Sequence, residues 1–159
     1  MNDEQLEDLA MAVGERLQRE DAKLALAESC TGGWVAKACT DVAGSAAWFS
    51  HGWVSYGNDA KQQMLGVDAA TLDADGAVSE ATVREMVAGA RERAGCRYAC
   101  AVSGIAGPTG GSEGKPVGLV WIAWADGDRV VTERFQFGGD REQVRRRTVA
   151  AALEGLTRL

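Results

Sequence analysis

The sequence has a single histidine, His51. A Ser-His-Asp triad therefore has only one candidate imidazole, and a histidine-rich metal site is excluded. Its four cysteines, Cys30, Cys39, Cys96 and Cys100, fall in no zinc-binding spacing. Cys96 and Cys100 have no second Cys or His cluster behind them, so no metal is expected and the thiols read as reduced. Positive charge is scarce: 17 Lys and Arg against 23 Asp and Glu leave a net charge of −6. Such a chain has little non-specific affinity for nucleic acid or an anionic membrane, and neither partner is expected. No apolar run approaches the ~20 residues of a membrane span. The charged N-terminus lacks the apolar core of a signal peptide, and a cytoplasmic protein is expected. Nucleotide fingerprints are missing too. No G-x-G-x-x-G follows a strand, and a Walker A ending at Gly114-Lys115 would need glycine at Thr109 and Ser or Thr at Pro116. Ser112–Lys115 matches S-x-x-K, but Gly114 and Pro116 oppose the helical turn that motif needs.

With 46% hydrophobic and 25% charged residues over 159 positions, the composition is that of one soluble globular domain. No linker, repeat or low-complexity tract divides residues 1–159. Leu6, Leu9, Ala10, Val13 and Leu17 recur at helical spacing and predict a helix over 3–19. Leu24–Ala27 reads as a buried strand, followed by a helix from about Gly33 to Thr40 with Thr31 as its expected cap. Residues 48–56 predict a second strand, and Asp59–Leu65 a short helix ended by Gly66. A longer helix over 79–94, capped by Ser79, precedes a third strand at Tyr98–Ser103. Val117–Ala125 and Arg129–Phe137 predict a hairpin about Asp126-Gly127. The last helix starts at Asp140, with a capping box to Gln143. Strands alternating with helices predict right-handed parallel crossovers, and the hairpin adds an antiparallel strand. The fold expected is a three-layer α/β/α sandwich around a mixed, mostly parallel sheet of about five strands.

In such sheets ligands bind beyond the carboxyl ends of the parallel strands. Three segments leave those ends: Ser29–Gly33, Tyr56–Lys61 and Gly104–Gly111. Ser29 followed by glycines at a helix start reads either as a plain turn or as a nucleophile beside free N–H groups that would hold an oxyanion. His51 lies inside the second strand and reads better as a satisfied strand histidine than as a base. Lys61 reads either as a surface lysine or as a base whose proton burial would remove. Tyr56 reads as a strand-end core residue or as a relay for the same proton. Cys30 is a rival nucleophile, although buried structural cysteine is the commoner fate. The glycine-rich SGIAGPTGG segment reads either as a tight loop or as an anion nest, with Lys115 and Arg141 available to add charge. Arg145, Arg146 and Arg147 read as a solvated helix face with at most one reaching a ligand.

These residues sit in longer stretches: AESCTGGWVAK from Ala27, VAGSAAWF from Val42, GWVSYGNDAKQQMLGV from Gly52, GAVSE from Gly76, SGIAGPTGGSEGKPVG from Ser103 and GDREQVRRR from Gly139. Taken together, the chain resembles the nicotinamide-nucleotide amidohydrolase family, the C-terminal domain of the competence/damage-inducible protein CinA, in a stand-alone form. The resemblance implies hydrolysis of nicotinamide mononucleotide to nicotinic acid mononucleotide and ammonia, without metal or cofactor. It implies Ser29 as nucleophile, Lys61 as general base and Tyr56 as its assisting partner. Substrate contacts are then expected from Cys30, Thr31, Gly32 and Gly33, from Gly44 and Ser45, from Gly104, Ala106 and Gly107, and from Arg141. A homo-oligomer, dimer or larger, is also implied. Two positions depart from the family pattern: Ala46 stands where a second serine is common, and Gly57 where Ser or Thr is. The alternative is a catalytically silent nucleotide-binding or competence-associated module that would need no basic Lys61.

Overall fold

The computed structural model describes residues 1–159. The elements run α1 (Asp3–Arg19), β1 (Leu24–Glu28), α2 (Trp34–Thr40), β2 (Phe49–Val54), α3 (Asn58–Leu65), α4 (Ala69–Asp75), α5 (Glu80–Ala94), β3 (Tyr98–Gly104), β4 (Leu119–Asp126), β5 (Arg129–Gln136) and α6 (Arg141–Arg158). One sheet has the order β2-β1-β3-β4-β5. β1 is parallel to β2 and β3, whereas β4 runs antiparallel to both its neighbours.

Strand side chains alternate between faces, and here the alternation sorts them by size. Leu24, Leu26, Cys100, Val102, Ile122 and Trp124 face a core shared with α1, α2 and α6. Ala25, Ala27, Ala99, Ala101, Ala123 and Ala125 face a second, smaller core with α5 and the ends of α3 and α4. Methyl-only side chains let α5 lie close to the sheet, and it touches β1, β3 and β4. These two covered faces make the three-layer α/β/α sandwich. No helix is long and apolar enough to cross a membrane.

Four local readings need correction. α4 and a short 3-10 turn at Ser45–Ala47 were not expected from the pattern; both are too short to show a helical period. Strand β4 starts at Leu119 rather than Val117. The hairpin turns on Gly127-Asp128, because Asp126 pairs with Arg129, and Gly127 takes the left-handed φ of +59°. Finally, Thr31 does not cap α2, whose N-cap is Gly33 without a side-chain bond from that residue.

The connections place a crevice. The chain leaves β1 for α2 on one face and leaves β2 for α3 on the other, as the two cores show. Loops that part in opposite directions at neighbouring parallel strand ends open the usual ligand crevice of an α/β sheet. Ser29 follows the end of β1, and Ser55-Tyr56 follows the end of β2.

Candidate active site

The backbone at Ser29 is fixed on both sides. Its N–H donates to Val102 O on β3 at 3.1 Å, and Ser55 N donates to Glu28 O at 2.8 Å from the β2 side. The chain then turns sharply, with Gly32 N donating to Ser29 O at 3.0 Å. Gly32 and Gly33 adopt left-handed φ of +59° and +97°, a conformation glycine takes without steric cost.

Across the crevice, Lys61 is on the first turn and a bit of α3, and is 1% exposed. Its Nζ lies 3.0 Å from Ser29 Oγ, 2.9 Å from Ser55 O and 3.0 Å from Tyr56 O. Desolvation on burial pushes the Lys61 ammonium below the ordinary lysine range, and no carboxylate opposes it. A neutral amine has two N–H bonds and one lone pair. The two carbonyls match the two N–H bonds, which leaves the lone pair for the Ser29 hydroxyl. The arrangement therefore suits removal of the Ser29 proton.

Cys30 behaves differently. Burial, with a contribution from the negative charge of Glu28, pushes its thiol up to about 12. It remains a neutral thiol, not the thiolate a cysteine nucleophile needs. His51 is also remote from this chemistry. It pairs in register with Ala25, near the start of β1 rather than its end. Its ring stacks on Trp53 at 5.6 Å and its Nδ1 lies 2.7 Å from Ser50 Oγ.

Glu28 is the main residue that the sequence reading missed. The carboxylate is 2% exposed. It accepts from the Thr31 hydroxyl at 2.6 Å and from the N–H groups of Gly33, Val35 and Ala36 at 3.2, 2.9 and 2.9 Å. A carboxylate from the preceding strand thus caps α2, so this helix start does not supply the oxyanion donors. The N–H groups of Cys30 and Thr31 have no acceptor within the protein and are the free donors next to Ser29. A Glu one residue before the candidate nucleophile was the available signal, but its reach to a helix eight residues on is a tertiary fact.

The remaining expected residues divide. Tyr56 contributes its main-chain carbonyl to Lys61, while its ring is 58% exposed. The phenol accepts from Arg141 Nη2 at 3.2 Å, so the expected phenolic relay to Lys61 is not present as a contact. Arg141 Nη1 also donates to Gly107 O at 2.8 Å, which joins the loop after β3 to the loop after β2. At Gly104 a Cβ would sit 3.2 Å from Cys30 Sγ and 2.6 Å from Val120 Cγ2. Ala106 is buried beside it. Gly44 and Ser45 are not brought to this rim. They precede Trp48, whose carbonyl accepts from Leu24 N at the start of β1, so they lie at the opposite end of the strands. Lys115 is drawn away by a bond to Asp75 O. Of the three arginines expected on a solvated face of α6, Arg147 is exposed, while Arg145 and Arg146 are half-buried. Arg145 donates to Cys30 O and Thr31 O at 3.1 Å each. Arg146 pairs with Asp3 and Glu142, and Arg147 donates to Gly138 O.

Comparison with known proteins points the same way as the fold. The family model described as the CinA C-terminal domain matches residues 6–159. The nicotinamide-nucleotide amidohydrolase PncC of Pseudomonas putida is 56% identical over 151 residues, 95% of this chain and 94% of that protein. The protein of the same name from Escherichia coli K12 is 53% identical, over 98% of this chain and 95% of its own length. A crystal structure of the competence damage-inducible protein A from Klebsiella pneumoniae superposes with a TM-score of 0.94 at 42% identity, covering 96% of this chain and 95% of that one.

Proposed function

The chain belongs to the CinA C-terminal domain family, and from that premise we propose that it hydrolyses nicotinamide mononucleotide to nicotinic acid mononucleotide and ammonia through a Ser29–Lys61 dyad. The observation that carries this reading is the 3.0 Å approach of a buried lysine Nζ to Ser29 Oγ. The near-full-length likeness to two proteins named nicotinamide-nucleotide amidohydrolase supports the substrate.

In this mechanism Lys61 Nζ takes the Ser29 proton as Oγ bonds to the carboxamide carbon. The negative charge that develops on the carboxamide oxygen is received by the free N–H groups of Cys30 and Thr31. Collapse of that adduct breaks the carbon–nitrogen bond, and Lys61 returns its proton to the departing nitrogen, which leaves as ammonia. Water then enters, gives a proton to Lys61 and adds to the acyl carbon. The ester bond breaks as Lys61 returns that proton to Ser29 Oγ, and the product leaves as the acid, which gives up its own proton to solvent to become the carboxylate. Tyr56 acts through its carbonyl, which orients Nζ. Its phenol and Arg141 stand at the mouth beside Gly107, where Gly104–Gly107 forms the opposite wall.

Ammonia release from nicotinamide mononucleotide by the purified protein tests the reading directly. The wild type is expected to turn over, and Ser29→Ala to lose at least about 10³-fold in kcat while keeping its melting temperature. Stoichiometric binding without ammonia release, or a fully active Ser29→Ala protein, would overturn it.

A further inference from the structure

Two backbone N–H groups beside a nucleophile must stay aimed at one point if they are to receive an oxyanion. The N–H groups of Cys30 and Thr31 make no bond within the protein that would hold them so. The main-chain bonds of their turn are Gly32 N to Ser29 O at 3.0 Å and Trp34 N to Thr31 O at 3.1 Å. Gly32 and Gly33 follow at once, and glycine is the least restrained backbone of any residue. Side chains supply the rest. Arg145 reaches the turn's carbonyls from α6. The other hold comes from the residue just before the nucleophile. Glu28 Oε1 accepts from the Thr31 hydroxyl at 2.6 Å and from Gly33 N and Val35 N, and Oε2 accepts from Ala36 N. Glu28 and Thr31, both buried, thus clasp Ser29 and Cys30 between them.

Capping α2 does not by itself call for this arrangement. The cap needs acceptors for the N–H groups at the helix start, and the bonds from Gly33, Val35 and Ala36 meet that need. The Thr31 hydroxyl lies before the helix, yet the shortest of the four bonds goes to it. A buried carboxylate is a costly acceptor unless its bonds are made, and a Ser or Asp N-cap would serve a helix without one. Glu28 also reaches the base through its main chain. Its carbonyl accepts from Ser55 N at 2.8 Å and from the Ser55 hydroxyl at 3.2 Å, and Ser55 O is one of the two carbonyls on Lys61 Nζ. The carboxylate itself bonds to neither Ser29 Oγ nor Lys61 Nζ.

We propose that Glu28 is a positioning residue of the reaction, which through the Thr31 hydroxyl fixes the N–H groups of Cys30 and Thr31 where the oxyanion forms. The proposal rests on the amidohydrolase reading above. It assigns the Thr31 hydroxyl to the protein's own carboxylate rather than to substrate. The clasp then matters to the transition state and not to substrate binding.

Thr31→Val tests it, because a methyl replaces the hydroxyl while the three bonds from Glu28 to α2 stay in place. With nicotinamide mononucleotide, kcat is expected to fall by about 10- to 100-fold. KM and the alkaline inflection set by Lys61 should stay where they are. Thr31→Ser restores the hydroxyl and should recover most of kcat. Glu28→Gln should show the same split between kcat and KM, and it carries the test if Thr31→Val is too unstable to assay. An unchanged kcat, a loss carried by KM, or Val and Ser variants that behave alike would overturn the proposal. If the wild type releases no ammonia, the amidohydrolase reading fails, and acylation of Ser29 by p-nitrophenyl acetate still decides the clasp. A rate that falls in Thr31→Val and returns in Thr31→Ser supports it. Equal rates, or no Ser29-dependent acylation in the wild type, overturn it.

Discussion

At the scale of single residues, the site depends on a lysine that must be neutral to work. An ordinary lysine is protonated up to a pKa near 10.4, and burial of Lys61 brings that value down. The fraction of enzyme with a free lone pair therefore rises with pH, and kcat/KM is expected to climb on the alkaline side with an inflection below the ordinary lysine value. Lys61→Arg keeps a cation that cannot shed its proton and should be inactive at every pH, where a merely structural lysine would leave a weakened but similar profile. Cys30 makes the opposite case. Its thiol is pushed up to about 12 and is buried against Gly104, so iodoacetamide at neutral pH should leave it unmodified by mass spectrometry and leave ammonia release unchanged. Modification of Cys30 with loss of turnover would show that the turn opens far more than its hydrogen bonds indicate.

At the scale of elements, α2 illustrates what a sequence conceals. Its seven residues are too few to hold a helix by propensity alone, and the obvious cap, Thr31, instead donates to Glu28. Removing that carboxylate by Glu28→Ala strands three backbone N–H groups and a hydroxyl. A loss of about 2 kcal/mol or more is expected, seen as a fall in Tm of roughly 4–8 °C in thermal denaturation. Glu28→Gln, which keeps an acceptor, should lose less. If the two variants melt alike with the wild type, Glu28 is not the cap. Long periodic segments were legible: α1 covers the expected 3–19, and α5 and α6 begin after the expected caps Ser79 and Asp140, because amphipathic stripes and helix caps are local signals. Lys61 and Ser29 were legible as a pair only through strand-end geometry and the family resemblance. Arg145 and Glu28 were not. Their partners lie on other elements, and nothing in a run of three arginines says that the first turns inward to Cys30 while the second pairs with Asp3.

For the whole molecule, the two ends of the strands answer pH in opposite ways. The rim beyond β1 and β2 holds Lys61, whose deprotonation governs activity on the alkaline side. At the other end of the strands, Tyr98 starts β3 and pairs with Asp126 at the end of β4, close to Glu20 just past the end of α1. The Tyr98 hydroxyl donates to Glu20 and holds its carboxyl below the usual range. Arg97 does the same for Asp126 through bonds of 2.7 and 3.4 Å. In each case the folded carboxyl is the stronger acid, so the unfolded chain binds more protons. The stabilisation is therefore complete above the ordinary carboxylate values and is lost as pH falls through the lowered ones. Thermal denaturation should be nearly flat from neutrality to about pH 5 and fall progressively below it. Arg97→Ala lets the Asp126 carboxyl return toward its ordinary value, so the drop in Tm between pH 7 and 3 should be shallower than in the wild type, although the variant starts lower at pH 7. Because Arg97 and Lys61 sit at opposite ends of the strands, the same substitution should leave the alkaline inflection of kcat/KM where it was. An unaltered acid slope in Arg97→Ala would show that other carboxylates carry the acid sensitivity, and a displaced alkaline inflection would show that the two ends are coupled through the sheet.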